Sequence, residues 1–256
     1  MKILALIPAR MGSSRFPGKP MAKILGKPMI GHVYDRVSNS EALCMTAVAT
    51  CDTEIYDYIK SIGGNAVMTK DTYERASDRC AEALLKIESA NKIRFDIVVM
   101  VQGDEPMTHP NMIVEAVEPM LADSSIKVVN LFGKIRDDNE FNDRNCIKVV
   151  CDLDGNALYF SREPIPTSSK VVTFPRLKQV CIIPFSRDFL IEYTKLPPSP
   201  LEEIECVDMM RVLEHGHNVC MVPTAHESYA VDVPDDLVKV EKLMAMKEFN
   251  LELKVE

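Results

Sequence analysis

Short apolar runs and helical stripes alternate through the first hundred residues. Residues 3–7 are wholly apolar and stop at Pro8. Over 28–37, Met29, Val33 and Val37 fall on one helical stripe. Residues 45–50 form a second strand-like run. Over 53–62, Ile55, Ile59 and Ile62 align at helical spacing, and Gly63-Gly64 ends the stripe. A brief strand is predicted at 66–69 and a helix at 77–89, with Ser77 as N-cap. Residues 96–101 hold a continuous run, Ile-Val-Val-Met-Val, flanked by turn residues. Unbroken apolar strands suit a parallel sheet covered on both faces. Strand and helix in turn imply right-handed crossovers and a doubly wound, mostly parallel, Rossmann-like α/β sheet.

From about residue 130 the pattern changes. Strands are predicted at 128–132, 147–152, 157–161 and 180–185, and Asp154-Gly155 is a hairpin signal between two of them. Residues 171–175 read as loop or edge. Ser199-Pro200 opens a helix, with Glu202 and Glu203 in its first turn and Gly216 past its end. A last strand is expected at 219–223 and a last helix at 234–249. Neither repeats nor linkers interrupt the chain. The expected organisation is one domain over 1–256 with a smaller β-rich lobe at about 130–190.

Charge modifies this picture. The chain carries 38 acids against 30 bases, a net −8. Before Asp35, the first acid, stand Lys2, Arg10, Arg15, Lys19, Lys23 and Lys27; the remaining 222 residues therefore carry −14. Such a body repels nucleic acid and anionic membranes, so neither is expected as a partner. The basic start suits a small anion held locally. No apolar run approaches the ~18 residues of a membrane span, and the apolar run at the N-terminus is too short for an export signal. Eight cysteines form no C-x-x-C pair and are read as reduced core thiols of a cytoplasmic protein.

The cations concentrate in one loop. Residues 8–20, PARMGSSRFPGKP, follow the first strand, at the sheet edge where α/β folds bind ligands. Gly12 and Gly18 permit close backbone approach, Ser13 and Ser14 are donors, and Arg10, Arg15 and Lys19 supply charge. Backbone N–H groups with fixed cations form an anion cradle. The spacing is neither that of a Walker loop nor that of G-x-G-x-x-G.

This loop, with LGKPM at 25–29, closely resembles the signature of the 3-deoxy-manno-octulosonate (Kdo) cytidylyltransferase family. VQGDEP at 101–106, ALYFSREPIP at 157–166, PSPLE at 198–202, RVLE at 211–214 and VDVPDDL at 231–237 follow in order. The resemblance covers nearly the whole chain. It implies an enzyme that transfers CMP from CTP to an acidic sugar, releasing pyrophosphate, for surface polysaccharide or lipopolysaccharide synthesis. It implies Mg²⁺ as cofactor and a homodimer as assembly. By resemblance Arg10, Lys19 and Asp104 are catalytic. Gly12, Ser13, Ser14, Arg15, Arg79 and Gln102 join Arg10 and Lys19 at the nucleotide, and Asp104 and Asp232 hold metal. Arg162, Gln179, Phe185, Asp208 and Met209 fall at acceptor positions. An Arg fork at 162 suits a carboxylate.

The acceptor half departs from the family. Its Ser-Gly-Thr-Glu-Arg reads RASDR at 75–79, with Ala76 for the glycine. A histidine reads Gln179, a second tyrosine Phe185, and a Glu-Gln pair Asp208-Met209. Lost hydrogen-bonding groups shift selectivity, so an acceptor other than standard Kdo is expected. A non-sugar acceptor such as a phosphonate is the alternative, and a non-catalytic nucleotide-binding regulator a second. His215 and His217 flank Gly216 at a helix end and are read as capping residues, not as metal ligands. The methionines at helical positions are read as core.

Overall fold

The computed structural model describes residues 1–13, 15–167 and 174–246. Along the chain it holds β1 (Ile3–Ala9), a 3-10 turn (Lys19–Met21), β2 (Lys23–Ile24), β3 (Lys27–Pro28), α1 (Met29–Ser38), β4 (Met45–Thr50), α2 (Thr53–Ser61) and β5 (Ala66–Met68). There follow α3 (Ala76–Asn91), β6 (Ile97–Val101), α4 (Pro110–Ala122), β7 (Val129–Lys134), α5 (Asp138–Asn142), β8 (Lys148–Cys151) and β9 (Ala157–Ser161). The remainder is β10 (Leu177–Val180), β11 (Ile182–Ser186), α6 (Arg187–Tyr193), α7 (Pro200–Glu205), α8 (Asp208–Glu214), β12 (Cys220–Pro223) and α9 (Pro234–Ala245).

The chain divides into two compact units. One comprises Lys2–Phe95, Met100–Asn111 and the segment from Ser228 onward; the other comprises Met1, Asp96–Val99 and Met112–Glu227. The second of these holds β7 to β12.

In the first unit β1, β4 and β5 follow that order, with β1–β4 and β4–β5 parallel. All seven residues of β1 are buried, as expected of a parallel strand covered by helices; α1 and α3 both pack on it. The apolar stripe of 28–37 is buried through Met29, Val33 and Val37, and that of 53–62 through Ile55 and Ile59. Ile24, Met29, Met107, Val231, Val240 and Met244 form a further core, which seats α9 against the β2–β3 hairpin. The Glu241 carboxylate, on α9, accepts the Leu25 N–H of that hairpin at 2.8 Å.

The second unit carries a mixed sheet, β12-β7-β10-β8-β9. β12 is parallel to β7, and the other pairs are antiparallel. The expected Asp154-Gly155 turn joins β8 to β9, with Gly155 at φ +82°. Arg211 is fully buried; its Nε and Nη2 donate to the Glu202 carboxylate at 2.6 and 2.7 Å. Phe185, Phe189 and Tyr193 stack together beside it.

Several expectations are corrected. Residues 180–185 are two strands split at Cys181: β10 pairs with β7 and β8, while β11 neighbours β6. The helix opening at Ser199 ends at Cys206, which takes φ +52°, and restarts as α8. Ser77 lies inside α3, whose N-cap is Arg75. The cysteines are all free thiols, yet only Cys80 is buried; Cys44 and Cys206 are exposed. Helices α4, α5 and α6 had no counterpart in the apolar pattern. Residues 171–173 and 247–249 of the predicted elements lie outside the described residues. No helix among the described residues is long and apolar enough to cross a membrane.

Gly103 closes the end of β6 onto β1. A Cβ there would lie 2.9 Å from the Pro8 carbonyl oxygen, a backbone atom that cannot swing aside. Gly103→Ala is expected to lower stability by about 1–3 kcal/mol, the usual cost of overpacking. Urea unfolding of the two proteins reads this directly; equal midpoints contradict it.

Candidate active site

The loop after β1 folds back on Met11. Its carbonyl accepts N–H bonds from Ser13 and Gly18, each at 3.0 Å, and its N–H donates to Asp52 Oδ2 at 2.8 Å. The Ser13 Oγ accepts the Phe16 N–H at 3.3 Å. Gly18 takes φ +72°, a left-handed conformation that glycine adopts freely, and so turns the chain into Lys19. Ser14 lies outside the described residues. Arg10 is exposed.

Lys19 reaches across to two distant segments. Its Nζ lies 2.8 Å from Asp104 Oδ2, 2.8 Å from the Val231 carbonyl and 3.9 Å from Asp232 Oδ1. Arg15 Nη2 pairs with Asp232 Oδ1 at 2.9 Å. Asp104 follows β6; Asp232 precedes α9, 128 residues later. Lacing between the segments brings them together: Val231 N–H donates to the Asp104 carbonyl at 2.9 Å, and Ser228 Oγ donates to the buried Glu105 carboxylate. Asp236 Oδ2 accepts the N–H groups of both Asp232 and Val233, at 2.9 and 3.0 Å, and so sets the backbone from which the Asp232 carboxylate projects.

Burial raises the Asp232 carboxyl above its ordinary range. The Asp104 charge pushes the same way, against Lys19 and Arg15. Among the described residues no group of three His, Cys, Asp or Glu side chains gathers as a metal site. Two hard carboxylates already drawn around a cation fit Mg²⁺, which is commonly bound by one or two carboxylates, with waters and substrate phosphates completing the shell.

Arg79 is buried, and its guanidinium donates to Thr69 Oγ1 and to the carbonyls of Lys70 and Tyr73, at 2.5, 3.3 and 3.2 Å. It therefore shapes the segment before α3. Gln102 is partly exposed, beside Gly103. Every described residue expected at the nucleotide or metal thus lies in the unit containing β1. Sequence reasoning missed Asp52 and Asp236. The available signal was that each is an acid flanking a strand end or helix start of the same sheet.

The expected acceptor residues lie in the other unit. Arg162 donates through Nε to the Glu205 carbonyl at 2.6 Å, through Nη1 to the Arg144 carbonyl at 2.9 Å, and through Nη2 to the Cys206 carbonyl at 3.2 Å. Among the described residues three of its five N–H donors are used. The fully buried Lys148 anchors the same strand end, donating to the carbonyls of Asp143, Cys146 and Arg162. Gln179 Nε2 donates to Asn130 Oδ1 at 2.6 Å. Asp208 opens α8, and its carbonyl accepts the Tyr193 hydroxyl at 2.9 Å.

Phe185 and Met209 are both fully buried, Phe185 against Phe189 and Tyr193. His215 Nε2 meets the Pro197 carbonyl at 3.1 Å, and the His217 ring stands edge-on to Phe189; both have non-metal partners.

A family model described as Cytidylyltransferase matches residues 4–228. A 3-deoxy-manno-octulosonate cytidylyltransferase of Geobacter metallireducens (strain ATCC 53774 / DSM 7210 / GS-15) is 42% identical over 255 residues, covering 95% of this chain and 98% of that protein. One of the same name from Desulfosudis oleivorans (strain DSM 6200 / JCM 39069 / Hxd3) is 43% identical over 248 residues, covering 96% and 98%. A solved CMP:2-keto-3-deoxy-manno-octonic acid synthetase, complexed with CTP, superposes with a TM-score of 0.86 at 36% identity, covering 96% of this chain and 99% of that one.

The raised Asp232 carboxyl has a consequence for stability. A carboxyl whose pKa rises on folding contributes stability that is full below its unfolded pKa and lost as pH climbs through the folded value. Asp232→Asn carries no charge at any pH. It should therefore melt higher than the parent at pH 8, with the gap closing towards pH 4. Differential scanning calorimetry of the ligand-free proteins across that range checks it; a gap that widens in acid reverses the sign.

Proposed function

The chain belongs to the cytidylyltransferase family, and from that membership we propose that it transfers CMP from CTP to Kdo, releasing pyrophosphate. The observation that carries this reading is the cluster of Lys19, Arg15, Asp104 and Asp232 beside the glycine- and serine-bearing loop. It is joined by relatives over 40% identical along nearly their whole length that bear the Kdo cytidylyltransferase name.

In the reaction, the anomeric hydroxyl of the sugar attacks the α-phosphorus. A new O–P bond forms, the bond to the β-phosphate oxygen breaks, pyrophosphate departs, and the hydroxyl proton is released. Catalysis of this kind is mainly positioning and electrostatic stabilisation. Arg10, Arg15 and Lys19 hold the triphosphate by charge, and the backbone of Gly12 with the hydroxyls of Ser13 and Ser14 holds it by hydrogen bonds. Gln102 and the segment ordered by Arg79 serve the nucleoside. Asp104 and Asp232 would hold Mg²⁺, which supplies positive charge against the triphosphate and the departing pyrophosphate.

At the acceptor, the guanidinium of Arg162 suits the sugar carboxylate, with Gln179 and Asp208 as further polar partners. With Phe185 and Met209 in the core, nothing in the structure favours a phosphonate over the sugar. The ion cluster offers no support for a regulator without turnover. The reading also includes the homodimer, the cytoplasmic site and the lipopolysaccharide route implied by the resemblance; eight free thiols suit a reducing compartment.

Purified protein given CTP, Mg²⁺ and Kdo should release pyrophosphate and form CMP-Kdo. Asp104→Asn should lower kcat by about 10²-fold or more, the scale of a lost electrostatic contact at the reacting centre, with the fold intact by circular dichroism. Pyrophosphate release with another acid sugar or a phosphonate but not with Kdo would move the acceptor. Unchanged turnover in Asp104→Asn would remove that residue from the site.

A further inference from the structure

Asp52 stands between the end of β4 and the start of α2, where an aspartate ordinarily caps the helix. It makes no side-chain bond to the α2 amides. Its Oδ2 instead accepts the Met11 N–H, 41 positions earlier in the chain, at 2.8 Å. The Cys51 thiol donates to the same oxygen at 3.6 Å, and the Asp52 N–H donates to Thr50 Oγ1 at 3.1 Å. Thr50 is fully buried at the end of β4, so the carboxylate is mounted on the rigid sheet.

Met11 is the hub of the loop. Its N–H is taken by Asp52, and its carbonyl takes both Ser13 N–H and Gly18 N–H. Fixing Met11 therefore fixes the turn that presents Ser13 at one end and delivers Lys19 at the other. A charged acceptor makes this bond about twice as strong as a neutral one. The same charge opposes a bound triphosphate, so the carboxylate does not serve the anion by attraction.

We propose that Asp52 is a positioning residue of the phosphate loop: it forgoes the cap of α2 to hold Met11, so that the closed loop exists before the nucleotide arrives. The proposal rests on the loop being the triphosphate cradle. The benefit of such preorganisation appears as ligand affinity, because the ordering cost is met in the free protein.

The test compares Asp52→Ala with Asp52→Asn, whose amide oxygen still accepts a hydrogen bond. Inorganic tripolyphosphate and CTP are titrated by calorimetry, and KM for CTP is measured apart from kcat. In Asp52→Ala both affinities should fall about tenfold, equivalent to about 1.4 kcal/mol, with KM rising in step and kcat moving less. Asp52→Asn should recover most of the loss. Tripolyphosphate binding needs no acceptor sugar, so its loss supports the proposal even where Kdo is not turned over. Parent affinities in Asp52→Ala, with only a lower melting point, would leave Asp52 a structural residue and overturn it. If Asp52→Ala does not fold, hydrogen exchange of the Met11 amide decides. Protection in the parent and in Asp52→Asn is the expected result, and fast exchange in the parent is the refuting one.

Discussion

A single ammonium group, Lys19 Nζ, holds the site together. It touches the carboxylate that ends β6, lies near the carboxylate before α9, and donates to the Val231 carbonyl. Opposite unit charges 4 Å apart attract by about 4 kcal/mol at an effective dielectric near 20, while burying each charge costs several kcal/mol. The two effects are of similar size. The direction of the Asp232 shift decides between them: its carboxyl is raised despite Lys19 and Arg15. At Asp232, burial and the neighbouring Asp104 outweigh the cations.

The surroundings of Asp232 are braced. Asp232 is held by Asp236, by the Val231 bond to Asp104, and by α9 seated on the hairpin core. Gly103 lets the Asp104 turn lie against the end of β1. Two acids are thus kept close by packing and backbone bonds as well as by the shared Lys19. Sites that withstand such repulsion commonly give up stability for function.

The sequence makes part of this legible. The strands at 45–50 and 157–161 fall where the apolar pattern puts them, because buried parallel strands and short hairpins carry strong local signals. The run at 180–185 misleads: it is apolar throughout, and periodicity cannot show that Cys181 passes the chain from one sheet to another. The helix after Ser199 reads as continuous, since a left-handed Cys206 has no sequence warning of the kind glycine gives. In the site, the cationic loop was legible because its residues are contiguous. Asp104 and Asp232 needed the resemblance. Asp52 was hidden because its position reads locally as a cap and its partner lies 41 residues away. That Phe185 and Met209 are fully buried was not legible either, because motif position does not record burial.

The charge asymmetry of the chain also takes on a specific meaning. Of the six cations before Asp35, Lys27 pairs with Asp35 itself, and three, Arg10, Arg15 and Lys19, belong to the loop. Around that loop stand three acids, Asp52, Asp104 and Asp232. The free site is thus close to neutral, whereas the ligand is a polyanion. A basic loop alone cannot be its full counter-charge, because two of its three cations are already engaged by aspartates. Binding must either release Arg15 and Lys19 from those acids or bring a further cation to them. Asp104 and Asp232 would be the residues to hold a divalent cation, which would supply that further positive charge. Asp52 stays outside this exchange because its partner is a backbone N–H, whose bond the arriving charge does not need to break.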